Sequence, residues 1–362
     1  MVGMRGTSTV TEKPQVIWER GSAYDLFVSL LVIHQPDDFG LRPSWAAGVR
    51  SRLPLPHRET LEQSQKFFYI PLNWIHSLPE PKDTQTALKM LKELPPEDRL
   101  PALVFTGHED QEAKEFHEFL LSLDGKRRFT SRVENQIVEQ YKNLHQPTKV
   151  MSRMFFNIWT DRKAFGEKIT EALEAYIENF FLEEENRIIP ALDQSLAEAQ
   201  ALFKDQQDIQ TLLEKLSSGV SLDWVSEYDR VVLAPSFWSA PLVFSDRMPD
   251  NSRIILFGRR PKGMALVPGE QVSEDLLNGL KAMADPTRLR ILKYLRKESC
   301  TPSELAKILR LRPPTVIHHL KTLRLAGFVR VRVSSNSERR YAAREDGIIE
   351  TARLVHQFLL ED

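Results

Sequence analysis

The sequence predicts a mainly α-helical protein with small antiparallel β elements: a larger helical α+β N-terminal body followed by a compact C-terminal domain. Three observations predict this fold class. Apolar residues recur at helical spacing over long stretches, short apolar runs typical of strands cluster near residues 228–258, and a strongly basic window lies close to the carboxyl end. At 362 residues the chain is long enough for two or three domains. Its 41% hydrophobic and 27% charged content is typical of a folded, water-soluble protein.

The basic window concentrates positive charge in a protein that is otherwise acidic. Between Pro286 and Arg344, fifteen Lys and Arg stand against three acids, whereas the whole chain has 49 basic and 50 acidic residues. A basic stripe beside an acidic body is typical of a nucleic-acid contact. A basic surface that only water covers is the alternative, so the motifs inside the window have to decide between the two.

The first helix of the window has a well-marked start. Asp285 can accept a hydrogen bond from a backbone N–H of the first turn, and Pro286 suits the first helical position because it has no N–H to satisfy. Leu289, Leu292 and Leu295 follow at intervals of three. We expect these leucines to form the buried face of the helix.

A second helix begins at a capping box. Thr301 and Glu304 can satisfy each other's backbone N–H groups, and Pro302 occupies the first helical position between them. The predicted buried face consists of Leu305, Ile308 and Leu309. Arg310 to Arg312 then form a short turn, so the two helices are separated by only a few residues.

A third helix is predicted over residues 313–326, and Gly327 ends it where a left-handed residue is favoured. Val316, Leu320 and Leu323 share one face by their spacing. The side chains expected to point away from the core are Pro314, Ile317, His318 and Lys321. A helix held in this way can enter the major groove of DNA.

A basic hairpin follows this helix. Residues 328–333 alternate apolar side chains with Arg330 and Arg332, residues 334–337 supply the turn, and residues 338–342 return with Arg339 and Arg340. Arginines along a hairpin can contact phosphates or the minor groove. Helices joined by a tight turn and followed by such a hairpin predict a winged helix-turn-helix.

The same segment resembles a known family. The stretches LKAMADPTRLRIL (280–292), ELA (304–306) and PTVIHHLKTLRLAG (314–327) are similar, in order and spacing, to the winged-helix regulators of the bacterial ArsR family. The resemblance covers about the last quarter of the chain. It implies a dimeric transcription factor, most often a repressor, that dimerises through the flanking helices at 273–284 and 348–360. It also implies that residues 313–321 form the recognition segment, with His318 and His319 in its signature.

Two positions depart from the family pattern, because Arg312 and Ile317 stand where members often have serine. Arg312 loses a side-chain acceptor at the helix start but adds a charge that can contact phosphate. Ile317 can either contact a thymine methyl group or pack against a neighbouring helix, and both readings stay open. The predicted DNA-binding residues are Arg310, Arg312, Pro313, Pro314, Thr315, Ile317, His318, His319, Lys321, Arg324, Arg330, Arg339 and Arg340.

Metal binding, common in that family, is not expected. A thiolate site needs several cysteines, and Cys300 is the single one in the chain. His108, Asp110, Glu112 and His117 lie close together in sequence, but such a group is usually a solvated charged helix face. We therefore predict no metal and no cofactor. A single cysteine, the lack of a signal-peptide core and the lack of a membrane-length apolar run predict a cytoplasmic protein with no membrane partner.

The rest of the chain divides into a predicted disordered tail (1–15), a mostly helical domain (16–260), a linker (261–272) and the winged-helix and dimerisation domain (273–362). Within the second of these, strands are expected at 230–235, 241–244 and 253–257. The body resembles, more loosely, the extended N-terminal region of a subset of ArsR-like regulators, on the residues Tyr24–Leu30, Ala234–Trp238 and Val267–Glu270. That resemblance implies no particular ligand.

Three functions from different classes stay in view. The favoured one is a homodimeric repressor that reads a palindromic operator in double-stranded DNA and is controlled through its body. Most aromatic residues of the body are expected in its core, with a small-molecule effector pocket among them as the alternative. An enzyme targeted by a winged helix is the second function, although no catalytic motif is present and we predict no enzyme activity. A winged helix that binds a protein partner is the third.

Overall fold

The computed structural model describes residues 13–66, 70–105, 111–141, 149–206, 208–261, 264–268 and 272–360. Most of these residues are helical, as the sequence predicts. They divide into two compact units. The first, which we call the helical unit, comprises the described part of residues 20–193 together with 236–239. The second, the mixed unit, comprises the described part of residues 1–19, 194–235 and 240–362.

The helical unit is a succession of mostly short helices. They are α1 (Ser22–His34), α2 (Pro43–Ser51), α3 (Leu55–Ser64), α4 (Leu72–Ser77), α5 (Thr84–Glu93), α6 (Pro96–Val104), α7 (Gln111–Leu121), α8 (Ser131–Tyr141), α9 (Lys149–Trp159) and α10 (Arg162–Tyr176). Several begin with proline in the first turn, where its missing N–H costs nothing. A π-helical turn, Ile177–Phe181, joins α10 to α11 (Leu182–Gln206).

The core of the helical unit is aromatic. Tyr24, Trp159, Tyr176 and Trp238 are each fully buried. The Tyr176 hydroxyl donates to the Ser29 hydroxyl at 2.9 Å, so its polar end is satisfied inside the core. For these residues the expectation that body aromatics form a core is confirmed.

The mixed unit contains a four-stranded sheet made of β1 (Gln15–Trp18), β3 (Arg230–Ser236), β4 (Val243–Met248) and β5 (Ser252–Gly258). The strand order is β1-β3-β5-β4, and α12 (Ile209–Leu216) lies in the same unit. The three predicted strands are confirmed to within a few residues, and β4 and β5 are antiparallel as expected. In contrast, β1 is parallel to β3, with Gln15 opposite Arg230. The sheet is therefore mixed rather than antiparallel, and its first strand begins inside the predicted tail.

The winged helix occupies the C-terminal part of this unit. Its elements are α13 (Glu274–Met283), α14 (Pro286–Leu295), α15 (Pro302–Leu309), α16 (Pro313–Leu325), β6 (Val329–Val333), β7 (Arg339–Ala343) and α17 (Glu345–Leu360). The hairpin β6–β7 is extended by a third strand, β2 (Val220–Leu222), which pairs with β6 in parallel. A segment from the predicted body thus completes the sheet of the wing.

The predicted boundary at the linker does not coincide with the division into units. In the described part of the linker, the backbone N–H groups of Leu266 and Val267 both donate to the Glu274 carboxylate at 3.1 Å. Leu266 is 1% exposed. This segment is therefore anchored to the start of α13, and the residues around β2 to β5 group with the winged helix. Among the described residues, no helix is both long and apolar enough to cross a membrane.

Candidate nucleic-acid interface

The helix starts of the DNA-binding segment are built from local hydrogen bonds, as predicted. The Asp285 carboxylate accepts from the Arg288 N–H at 2.8 Å. The Glu304 carboxylate accepts from the Thr301 N–H at 2.7 Å, and the Thr301 hydroxyl accepts from the Glu304 N–H at 3.2 Å, which completes the capping box. These hydrogen bonds hold the pKa of both carboxyl groups below their usual range.

The leucine-rich faces differ from the prediction at two positions. Leu292, Leu295, Leu305 and Leu309 are buried, but Leu289 is 50% exposed and Ile308 is 45% exposed. The buried residues of α14 are Ile291, Leu292 and Leu295. Because each helical residue advances by about 100°, Leu289 points about 110° away from the mean direction of these three side chains. Ile308 is displaced by a similar angle from the buried residues of α15. Spacing by three alone therefore misplaced both side chains.

The recognition helix α16 has the predicted division into faces. Val316, Leu320 and Leu323 are at most 1% exposed, whereas Ile317 is 53% exposed and His318 is also exposed. Pro314 and Thr315 are exposed as well, and Lys321 is half-buried. Gly327 follows the helix with φ of +70°, the left-handed conformation expected there. Within the described residues, then, Ile317 does not pack into the core of the protein.

The N-terminus of α16 offers charge rather than backbone donors. Pro313 and Pro314 occupy its first two positions, and neither has an N–H that could bind a phosphate. Arg312 precedes them as the N-cap without a side-chain cap hydrogen bond, and Arg310, two residues earlier, ends α15 in a left-handed conformation. Both arginines are exposed. Phosphate contacts at this end of the helix would therefore come from the two guanidinium groups.

His319 points to a different place from His318. Its side chain is 12% exposed, and its Nδ1 lies 4.0 Å from an Asp285 carboxylate oxygen. Burial lowers the pKa of His319, despite the opposing effect of Asp285. His319 therefore packs toward the start of α14, and of the two histidines only His318 lies on the outer face of α16.

Arg324 requires a correction, because the structure turns it away from the predicted DNA-facing set. It is 7% exposed and donates to the backbone oxygens of Ser217 at 2.7 Å, Pro241 at 2.9 Å and Ser218 at 3.4 Å. Burial, together with neighbouring Arg344, lowers the pKa of Arg324 to about 10. Its guanidinium lies at the C-terminal end of α12, where unpaired carbonyls and the helix dipole favour a cation.

The wing contributes arginines in three different environments. Arg332 Nε lies 2.8 Å from the Asp223 carboxylate, and Arg330 Nη1 lies 3.6 Å from Glu214. Arg340 donates to the Ser299 oxygen at 2.8 Å and contacts Glu304 at 3.3 Å. Arg339 is exposed, and no ion pair is found for it among the described residues. The sequence could not reveal the acids near β2 and α12, because they lie about a hundred residues from the wing.

Metal ligation finds no support in the described residues, which contain no group of three His, Cys, Asp or Glu able to hold a metal ion. Cys300 is 6% exposed, and burial raises the pKa of its thiol. The His117 ring stacks on Phe105 with centroids 3.7 Å apart. His108 and Asp110 of the acid–histidine group lie outside the described residues, as does the Glu112 side chain.

A family comparison agrees with this geometry. Residues 285–331 match the family model described as bacterial regulatory protein, arsR family, a span that runs from the N-cap of α14 into β6. Neither a curated protein nor a solved structure matches the chain. The family match does not reach the body, so the resemblance of the body to an extended N-terminal region stays a prediction. Residues 285–331 are accordingly a helix-turn-helix of the ArsR type, a module typical of DNA-binding transcriptional regulators.

Proposed function

We propose that this protein is a homodimeric, sequence-specific transcriptional repressor that reads a palindromic DNA operator with α16 and a basic wing. The observation that carries the proposal is the outer face of α16. There, exposed Ile317 and His318 follow the exposed cations Arg310 and Arg312, inside a helix-turn-helix of a DNA-binding family. The proposed activity is binding, and it contains no catalytic step.

Each side chain on this face has a distinct chemical task in the proposal. Ile317 is apolar and can contact the methyl group of thymine, while His318 can form a hydrogen bond with a base edge in the major groove. Arg310, Arg312 and Arg339 supply positive charge for phosphates on either side of the groove. Phosphate contacts would set the position on the duplex, and the two α16 side chains would set the preferred sequence.

Dimerisation through α13 and α17 is supported by close packing between these helices and by the apolar residues that they leave exposed. A Cβ added at Gly279 would come within 2.5 Å of the Thr351 side chain, so glycine permits this close approach. The exposed apolar residues on the two helices are Leu280, Ile349, Phe358, Leu359 and Leu360. A second copy that covers this surface by twofold symmetry would remove the apolar area from water and set two α16 helices about one DNA turn apart.

Control through the body is part of the proposal. Because β2 pairs with β6, and Arg324 binds carbonyls around α12, segments outside the helix-turn-helix hold both the recognition helix and the wing. A ligand that binds one arrangement of these segments better than another would shift the affinity for DNA by that difference. In the proposed form of control, ligand binding lowers the affinity for DNA and releases the protein from its operator.

The test begins with selection of operator DNA. Full-length protein is incubated with genomic fragments, the bound fragments are sequenced, and a shared palindrome is sought. Affinity for that operator is then measured between 50 and 200 mM salt, for the wild type and for Arg312→Ala/Arg339→Ala. Each phosphate contact contributes about 0.9 to the slope of log affinity against log salt. We expect the doubly substituted dimer, which lacks four arginines, to have a slope shallower by about 3 to 4.

Arg132→Ala is the matched control, since Arg132 is an exposed arginine on α8 of the helical unit and belongs to neither the proposed DNA-binding surface nor the proposed dimer surface. Its salt slope should equal that of the wild type. A set of captured fragments with no shared sequence, or identical slopes for all three proteins, would contradict the proposed function.

A further inference from the structure

A small pocket in the helical unit is lined entirely by polar residues. It has a volume of about 270 Å³ and lies between the end of α1, α2 and the end of α3. The lining residues are His34, Gln35, Arg50, Glu62, Gln65 and Lys66. Sites for drug-sized ligands are usually about 300–1,000 Å³ and mostly apolar. This pocket is smaller, and all of its lining residues are polar, which suits a small polar molecule.

The inner wall of the pocket carries a buried amide without partners. Gln65 is 7% exposed, and both its Nε2 and its Oε1 are buried with no hydrogen-bond partner among the described residues. More than nine in ten buried polar groups are normally paired, and an unpaired one costs about 1–3 kcal/mol. The Gln65 amide therefore offers N–H donors at Nε2 and an acceptor at Oε1 to the occupant of the pocket.

His34 adds a second acceptor whose proton state is defined by geometry. Its Nδ1 lies 2.7 Å from the Leu30 carbonyl oxygen, which can only accept, so Nδ1 carries a hydrogen. Burial lowers the pKa of His34, which keeps the ring neutral. Nε2 therefore holds a lone pair, and this atom is also buried without a partner among the described residues. An occupant must offer an N–H or O–H group to it.

The charged residues of the pocket favour an anionic group on the same occupant. Arg50 donates to the Ile33 carbonyl oxygen, which fixes its guanidinium at the wall. Lys66 lies 3.9 Å from Glu62 at the solvent-exposed rim, a distance at which the pair is weak. With His34 neutral, the lining has two positive charges and one negative charge. The excess positive charge favours a carboxylate.

We propose that this pocket binds a small carboxylate that also carries an N–H or O–H donor, namely an amino acid or a hydroxy acid. The carboxylate lies near Arg50 and Lys66, the donor binds His34 Nε2, and the Gln65 amide contacts the remaining polar atoms. If the proposed function is correct, this ligand class is also the effector class of the regulator. The binding itself does not depend on that function.

Isothermal titration calorimetry on the full chain tests the site. The probes are the twenty amino acids of proteins together with lactate, malate and tartrate, each titrated separately. We expect saturable binding of at least one probe with a Kd below about 1 mM. Gln65→Met should raise that Kd by about tenfold or more, since it removes the amide. Its melting temperature should not fall, because the amide has no partner to lose.

Gln63→Met is the matched control. Gln63 lies two residues away, outside this pocket, and lines a separate, larger cleft of the helical unit. Unchanged binding in Gln63→Met supports the assignment, and loss of binding in Gln63→Met but not in Gln65→Met overturns it in favour of that cleft. No saturable binding of any probe also overturns it and leaves water as the occupant. A protein that binds a probe but no DNA would contradict the regulator proposal while leaving this site intact.

Discussion

Arg324 in the mixed unit and Asp25 in the helical unit are both buried ionisable side chains. Among the described residues no carboxylate pairs with Arg324, and three backbone oxygens accept hydrogen bonds from its guanidinium group. Asp25 is 0% exposed, and its Oδ1 accepts from the Ser236 hydroxyl and the Trp238 N–H, both at 2.8 Å. Buried charges of this kind are tolerated only with good hydrogen bonds, so removing either group has a measurable effect.

Arg324→Met should lower the free energy of unfolding by about 2 kcal/mol, because it leaves the carbonyls of Ser217 and Pro241 without their charged donor. Methionine retains most of the length of the side chain, so the loss reflects hydrogen bonding more than a cavity. Urea unfolding monitored by circular dichroism measures the change. Arg132→Met, at an exposed position of α8, should cost less than about 0.5 kcal/mol. Equal stability of both variants would contradict the structural role of Arg324.

Asp25 should make stability depend on pH in an unusual direction. Burial raises the pKa of Asp25 from 3.8 to about 6, despite opposing hydrogen bonds. Between pH 4 and pH 6 the folded state therefore binds more protons than the unfolded state, so this group loses stability as pH rises and contributes a constant cost above pH 6. Asp25→Asn removes that cost. The stability of Asp25→Asn relative to wild type should rise by about 3 kcal/mol from pH 4 to pH 7.

Chemical denaturation at a series of pH values measures this difference. Other carboxyl groups affect both proteins equally, so the difference isolates Asp25. Parallel stability curves for the two proteins would mean that Asp25 ionises as freely in the folded state as in the unfolded state.

At the scale of single residues, local chemistry was predictable and distant contacts were not. The caps at Asp285 and Thr301 and the left-handed Gly327 depend on neighbours in sequence, and the structure confirms all three. Arg324 looked like another cation of the recognition helix, but the carbonyls that bind it belong to residues about a hundred positions earlier. The polar pocket around Gln65 was equally hard to predict, because its lining residues come from three helices that only the fold brings together.

At the scale of elements, the wing is part of a larger sheet. β2 pairs with β6, and the ion pair between Arg332 and Asp223 lies beside this pairing. Asp223→Asn should leave Arg332 available to phosphate and remove a nearby negative charge. We expect DNA affinity at 50 mM salt to increase about two- to fivefold, which is in the range of an exposed ion pair.

Fluorescence anisotropy on a labelled duplex measures this affinity. Asp250→Asn is the control, because Asp250 pairs with Arg230, an arginine of β3 rather than of the wing. Its DNA affinity should match that of the wild type. Weaker binding by Asp223→Asn would mean that the ion pair supports the wing in a form that DNA needs.

The parallel pairings explain which elements the sequence could not reveal. The hairpin β6–β7 joins strands through a short turn, so alternation and turn residues predicted it. β1 and β2 have four and three residues and pair with β3 and β6, which lie far along the chain. No turn signal connects such partners, and the short strands contain too few residues for alternation to be informative.

At the scale of the whole molecule, self-association is the step that would convert one recognition helix into a reader of palindromic DNA. Ile349→Asp places a charge at a 67% exposed position of α17, inside the proposed dimer surface. Sedimentation equilibrium should show a dimer for the wild type and a monomer for the variant, because the interface cannot bury an unpaired carboxylate. Leu55→Asp, at a 58% exposed leucine of the helical unit, should remain a dimer. A monomeric wild type at micromolar concentration would contradict the proposed assembly.

The most direct measurement compares specific and non-specific DNA affinity for wild type and for Ile317→Ala/His318→Ala. Both substitutions are at exposed positions of α16, so the fold should be unaffected. Each lost base contact costs about 1–3 kcal/mol on the correct sequence and nothing on random DNA. Affinity for the selected operator should therefore fall at least about tenfold while affinity for random duplex stays constant. An equal fall on both duplexes, or no change on the operator, would contradict the claim that this face of α16 reads the bases.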